Sequence, residues 1–212
     1  MILYRPVGLE ELGLIYEAQM RAFPPRLPDQ PIFYPVTNEA YATQIAKDWN
    51  TKSGTLAGFV TRFAVDDDYA AKFERRVVGA REHEELWVPA EDLPQFNEHI
   101  NGPIEVVAAY FGKEFRGHVP VEFGLKGKDA REQFLALART LPYSSFDFSC
   151  EVAANHLAVF LGFFFWEQSD FTTDGFNGPA RDEVLDAMRK RWATSDHASI
   201  RLGVVSYGAS QR

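Results

Sequence analysis

Apolar positions in the first half of the chain recur with strand-like and helix-like periods in turn, and proline, glycine or a capping side chain marks each change. Ile2, Leu3 and Tyr4 read as a first strand, with Arg5 at its end and Pro6 closing it. Leu9, Leu12, Ile15, Tyr16 and Met20 then fall at three- and four-residue steps, which predicts a helix over residues 9–21. Residues 22–31 hold four prolines in ten positions, so they form a stiff loop, and that loop carries Arg26. A second strand is expected at residues 32–36. Thr37 or Asn38 caps a helix that places Tyr41, Ile45 and Trp49 four residues apart, with Ala42 and Ala46 beside them.

Residues 58–65 alternate as a half-buried strand with Phe59, Thr61, Phe63 and Val65 on one side. The run Asp66-Asp67-Asp68 suits the N-terminus of a short helix, since consecutive residues do not converge on one metal ion. Residues 75–78 are extended. Arg81-Glu82-His83-Glu84-Glu85 is a charged turn that enters the apolar strand Leu86-Trp87-Val88, and Pro89 opens a helix over residues 90–100. Asn101-Gly102-Pro103 turns the chain into a strand at 104–111.

This order describes an α+β unit over residues 1–112, with a seam at 112–117 and a second, smaller α+β unit over 113–212. In the second unit, strands are expected at 119–123 and 199–207 and helices at 129–141, 151–166 and 179–192. The helix at 151–166 is strongly apolar and must be covered by its own unit, by the first unit or by a second copy of the chain.

Composition narrows the function classes. Hydrophobic residues make up 46% and charged residues 25% of the 212, a balance that supports a folded chain without long disorder. The formal charge of −8 argues against a protein that grips nucleic acid through a broad basic face. Cys150 is the single cysteine, so no internal disulfide and no cysteine-based zinc site can form. The N-terminus has no signal-like apolar core, and the most apolar run, residues 157–166, is half the ~20 residues of a membrane span. These features point to a cytoplasmic protein.

The candidate chemistry lies at strand ends. Arg5 offers a cation for an anionic ligand, Tyr4 and Tyr34 offer ring faces with polar tips, and Glu85 with the nearby His83 offers an anion beside an imidazole. Chemistry at the sugar of a nucleotide needs that set. Cys150 and His156 make a poor thiol–imidazole pair, because six residues along one helix they point in different directions at ~100° per residue. Asp170, Asp174 and Asn177 miss the calcium-loop spacing and suit a capped turn better.

Leu3-Tyr4-Arg5, then Phe33-Tyr34-Pro35 before an alanine-containing helix, then His83-x-Glu85-Leu86-Trp87-Val88-Pro89, resembles the motif order of the ADP-ribosyltransferase fold. It is also similar to small bacterial proteins labelled "ADP-ribosylation/crystallin J1". The resemblance spans residues 1–111. It implies that Arg5 and the tyrosines Tyr4 and Tyr34 bind NAD, that Glu85 supports an oxocarbenium-like sugar, and that His83 orients the acceptor. NAD would be cleaved at the nicotinamide–ribose bond, with ADP-ribose passed to an acceptor, a protein or water. The crystallin J1 half of the label implies an all-helical hydrolase with paired-aspartate metal sites, which a strand-rich first half does not support. Tyr34-Pro35 stands where the transferases carry Ser-Thr-Ser, and that departure favours a rival class: a catalytically inactive interaction or immunity-type protein whose aromatic second unit meets its partner.

Overall fold

Strand β1 (Ile2–Val7) runs on through Pro6 instead of stopping before it. The computed structural model of the protein, which describes residues 1–79, 83–117 and 123–207, supplies the reason. Tyr4 exchanges backbone hydrogen bonds with Val36 at 2.7 and 2.8 Å. Backbone groups of alternate residues point to the same side, so the N–H that Pro6 lacks would face away from β3 (Ala57–Val65), its antiparallel partner. The ladder loses nothing, and a proline that looked like a stop is tolerated.

The chain divides into two compact units, Met1–Phe115 and Arg116–Gly203, and the described residues from Val204 onward group with the first. In the first unit, β1, β3 and β6 (Ile100–Phe111) form one antiparallel sheet in the order β1-β3-β6. A second antiparallel sheet has the order β2-β5-β4, from β2 (Ile32–Phe33), β5 (Glu84–Pro89) and β4 (Glu74–Val77). Val36 joins them, bridging Tyr4 of β1 on one side and Glu85 of β5 on the other. The join sets a residue of the first strand and the acid of the 81–89 stretch one backbone apart.

Helix α1 (Leu9–Glu17) ends earlier than its periodicity suggests, because Gln19 and Met20 take positive φ angles of 56° and 55°, which no helix continues through. Its Leu9, Leu12, Ile15 and Tyr16 are buried as expected. Helix α2 (Glu39–Asp48) starts where Asn38 accepts from the backbone N–H groups of Ala40 and Tyr41. It buries Tyr41, Ala42 and Ala46 while leaving Trp49 exposed. Gly58 makes its close approach to β3 possible, for a Cβ there would lie 2.0 Å from the Ala46 carbonyl oxygen.

The aspartate run stands at the N-terminus of α3 (Asp67–Ala70) as expected, with Asp66 at the N-cap position and Asp67 and Asp68 in the first turn, but no side chain caps the helix; the Asp66 carboxylate accepts from Asn101 and pairs with His99, and Asp67 pairs with the N-terminal amine. The turn expected at 101–103 lies inside β6, where Gly102 at φ 80° lets the strand pass. After a short 3-10 turn, α4 (Leu93–Glu98) completes the unit's helices, with Leu93 and Phe96 buried.

The second unit is helical in its described residues: α5 (Ala130–Thr140), α6 (Ser145–Ala154), α7 (His156–Gln168) and α8 (Gly178–Trp192). The strand expected at 119–123 falls almost wholly outside the described residues, as do Arg81 and Glu82 of the charged turn. The strand expected at 199–207 does not form; Gly203 at φ 85° breaks the extended run, and Val205 makes one backbone bond, to the Val106 carbonyl. The α+β character of the described chain therefore resides in the first unit. The apolar helix expected at 151–166 is broken at Asn155, where α6 and α7 bend by 101°. No single helix among the described residues is long and apolar enough to cross a membrane. Trp166 sits fully buried, its indole donating to the Ala130 carbonyl at 2.7 Å. Asp129 and Glu132 close a capping box on α5, and Asn177 caps α8.

Candidate functional site

Beside the join at Val36 the first unit is hollowed by a cleft of about 950 Å³. Arg5, Tyr34 and Glu85 all line it, three residues drawn from β1, the β2 segment and β5. Ligand sites span ~300–1,000 Å³, so a cleft at the upper end has room for a dinucleotide.

Glu85 is anchored before anything binds. It is 7% exposed, Tyr41 donates its hydroxyl to Oε1 at 3.2 Å, and Trp87 donates its indole N–H to Oε2 at 3.0 Å. Trp87 reaches it because residues two apart on a strand share a face. Tyr41 comes from α2, and Asn38, which starts that helix, fixes where its hydroxyl arrives. Each carboxylate oxygen keeps further lone pairs for a ligand. Burial, then the charge of Glu85 and the hydrogen bond to it, raise the Tyr41 phenol above its ordinary pKa, so it stays a donor at neutral pH.

Arg5, on β1 of the other sheet, supplies the cleft with a cation. Its side chain is buried, donates through Nε and Nη2 to Glu11 at 2.7 and 3.3 Å, and lies over the Phe33 ring at 4.7 Å and the Tyr34 ring at 5.5 Å. Thr61, wholly buried, donates its hydroxyl to the Arg5 carbonyl and fixes the backbone there. Tyr34 is 42% exposed and lines the cleft. Arg26 of the proline-rich loop lines the cleft as well, as do Glu10, Glu11, Tyr41, Trp49 and Trp87.

No family model, no curated protein and no solved structure matches this chain. The chemistry of the cleft therefore stands on its own geometry.

Two of the residues singled out from the sequence are not among those lining the cleft. Tyr4 takes the other face of β1 from Arg5, as strand alternation requires, and packs with Val36, Tyr41, Ala42, Ala46 and Val60. Burial and then the charge of Glu39 push its phenol pKa up. His83 stacks on the Tyr41 ring, with centroids 4.0 Å apart and planes 11° from parallel. It touches the group that holds Glu85 rather than the open cleft. The sequence places Arg26 on a stiff loop able to hold it over a cleft and Trp87 in the strand that anchors Glu85. It gives no site role to Glu11 or Tyr41, whose contacts with Arg5 and Glu85 required the fold.

Elsewhere the weaker candidates resolve into structure. Cys150 is exposed on α6 while His156 opens α7. Hydrogen bonds from Thr172, its side chain first and its backbone N–H second, lower the Asp170 carboxyl pKa, and Asp174 pairs with Arg131. Among the described residues no three His, Cys, Asp or Glu side chains gather as metal ligands would.

Proposed function

We propose that the first unit binds NAD, breaks its nicotinamide–ribose bond and passes ADP-ribose to an acceptor. One observation carries the reading: a cation, an exposed ring and an anchored carboxylate, 29 and 51 residues apart along the chain (34 − 5 and 85 − 34), line a single cleft. The ADP-ribosyltransferase-like plan of this unit belongs to the same proposal and rests on the motif order and the cleft.

As the glycosidic bond breaks, its electron pair leaves with nicotinamide and positive charge builds on the ribose. A carboxylate held in place by two donors opposes that charge without having to reorganise. Tyr34 packs a ring face against nicotinamide, and Arg5 holds an anionic part of the dinucleotide. His83 enters as a positioning residue, keeping Tyr41 in line with Glu85, because its ring lies on Tyr41 and it does not line the cleft. The acceptor, a hydroxyl or amine of a protein or a water molecule, adds to the sugar carbon and gives up its proton to solvent.

A second reading keeps the cleft and drops the reaction, leaving a binding protein. What favours it is that both oxygens of Glu85 and two nitrogens of Arg5 already have protein partners, together with Tyr34-Pro35 in place of Ser-Thr-Ser. Calorimetry with NAD followed by chromatographic detection of released nicotinamide separates the two. Turnover by the unaltered protein and a loss of about 100-fold or more in Glu85→Gln at an unchanged melting temperature support the transferase reading. Full nicotinamide release by a folded Glu85→Gln protein sinks it, and silence in both assays leaves the binding protein.

A further inference from the structure

The lining cation without a role in the reaction above is Arg26. Its side chain is 7% exposed, and within the described residues its Nε finds no hydrogen-bond partner. Arginine cannot shed its proton to escape the cost of burial, so an unpartnered guanidinium N–H in such a place lacks something. Its nearest carboxylate is Glu11, at 3.9 Å from Nη1, and that group is already gripped by Arg5 at 2.7 Å. Two buried guanidiniums thus share one carboxylate, which leaves about one positive charge uncompensated at this end of the cleft. Burial first, and the neighbouring Arg5 second, lower the pKa of Arg26, with Glu11 and Tyr34 opposing them. The remaining contact, from Nη2 to the side-chain oxygen of Gln30, stays within the same loop.

The chain holds this arrangement at small cost. Pro24, Pro25, Pro28 and Pro31 stiffen the loop around Arg26, so little entropy is lost when the side chain is fixed over the cleft. The lining as a whole carries three glutamates, Glu10, Glu11 and Glu85, against two arginines, so positive potential is local and not a property of the whole cleft. Trp49, at 57% exposure, and Tyr34 give the same cleft aromatic rims. A ligand that satisfies both features carries a compact multiple anion and a flat ring.

We propose that Arg26 and Arg5 form a subsite for the diphosphate of a nucleoside diphosphate, with Glu11 as the shared counter-ion that the diphosphate supplants. The planar fork of each arginine suits bidentate contact with phosphate oxygens, and the free Nε of Arg26 supplies a donor already in place. This deepens the NAD reading and depends on it only for the identity of the natural ligand. The anion subsite itself requires no reaction.

The test uses ADP, inorganic pyrophosphate and adenosine as probes in calorimetry with the full chain. ADP binds at least tenfold more tightly than adenosine, Arg26→Gln weakens ADP and pyrophosphate by about 10- to 100-fold, and Arg26→Lys restores part of the loss. Glu11→Gln removes the competing carboxylate and tightens pyrophosphate, which a merely structural contact would not do. Should Arg26→Gln melt early, Arg26→Lys and Glu11→Gln carry the test. Equal affinity of ADP for the unaltered protein and a folded Arg26→Gln protein overturns the subsite, as does failure of the unaltered protein to bind either ADP or pyrophosphate. Arg26-dependent ADP binding with no nicotinamide release keeps the subsite and removes the reaction. Nicotinamide release at unchanged KM in Arg26→Gln does the reverse.

Discussion

Tyr41 donates its hydroxyl to Glu85 across 3.2 Å, linking a helix that follows the second strand to an acid 44 residues further along the chain. The bond ties folding of α2 to the geometry of the cleft. Because Trp87 holds the other oxygen, the carboxylate keeps one donor when either is removed.

Tyr41→Phe keeps the ring, the stack on His83 and the volume, and deletes that donor alone. Stability should fall by about 1 kcal/mol, the size of one net hydrogen bond. Nicotinamide release should drop through kcat with KM little changed, since the hydroxyl orients Glu85 and does not itself line up with the anionic end. Urea denaturation and steady-state kinetics check the two halves separately. An unchanged kcat would remove Tyr41 from the machinery.

Gly58→Ala tests the packing of α2 on β3. The added methyl would meet the Ala46 backbone at 2.0 Å, and backbone cannot swing aside as a flexible side-chain end can. A loss of about 3 kcal/mol is expected, at the upper end for an overpacked site, with NAD binding weakened at temperatures where the protein is still folded. Thermal unfolding followed by circular dichroism measures it. A variant as stable as the parent would mean that α2 does not lie where described.

In the second unit, Trp166→Phe removes an indole hydrogen bond to the Ala130 carbonyl and shrinks a fully buried side chain. The lost hydrogen bond and the cavity add, for an expected loss of about 2–4 kcal/mol. If the first unit's cleft is independent of this core, ADP affinity at low temperature stays at the parental value. Denaturation monitored together with ADP titration reads both quantities.

Acidification should weaken the second unit through His156. Its ring stacks on His197 with centroids 4.1 Å apart, beside Arg191 and Asp196 in a small cavity of about 180 Å³. Burial first, then the charge of His197, depress its folded pKa below the ordinary histidine value. The unfolded chain therefore binds the proton more readily. The contribution is fully present above the unfolded histidine pKa of about 6.5 and is lost as the pH falls from there through the lowered folded value. Melting temperatures between pH 7.5 and pH 5 should fall in the parent and fall less in His156→Gln. Parallel pH profiles for the two would show that His156 is not responsible.

Much of the first unit is legible residue by residue. Asn38 announces a helix start because its short side chain can reach the free N–H groups of the first turn, and it caps α2. Leu86 and Val88 announce a buried strand, and β5 is one. Pro6 misleads, since whether a missing N–H matters depends on which side of the strand a partner lies. Asn155 misleads in the opposite direction: nothing in the apolar spacing of residues 151–166 reveals that the helix axis turns by 101° there.

For the cleft, local order in the chain is enough to single out Arg5, Tyr34 and Glu85 as chemistry-bearing residues and Leu86, Trp87 and Val88 as the strand that anchors Glu85, because strand patterning is a property of consecutive residues; that Arg5 lies inside β1 and not at its end is a matter of the fold. That Val36 bridges Tyr4 and Glu85, that Tyr41 crosses to the acid, that His83 stacks behind Tyr41, and that Arg26 comes to share Glu11 with Arg5 were decided by tertiary structure alone. Such contacts depend on which elements pack together and at what register, and that is set by burial of the whole core rather than by any stretch of the sequence.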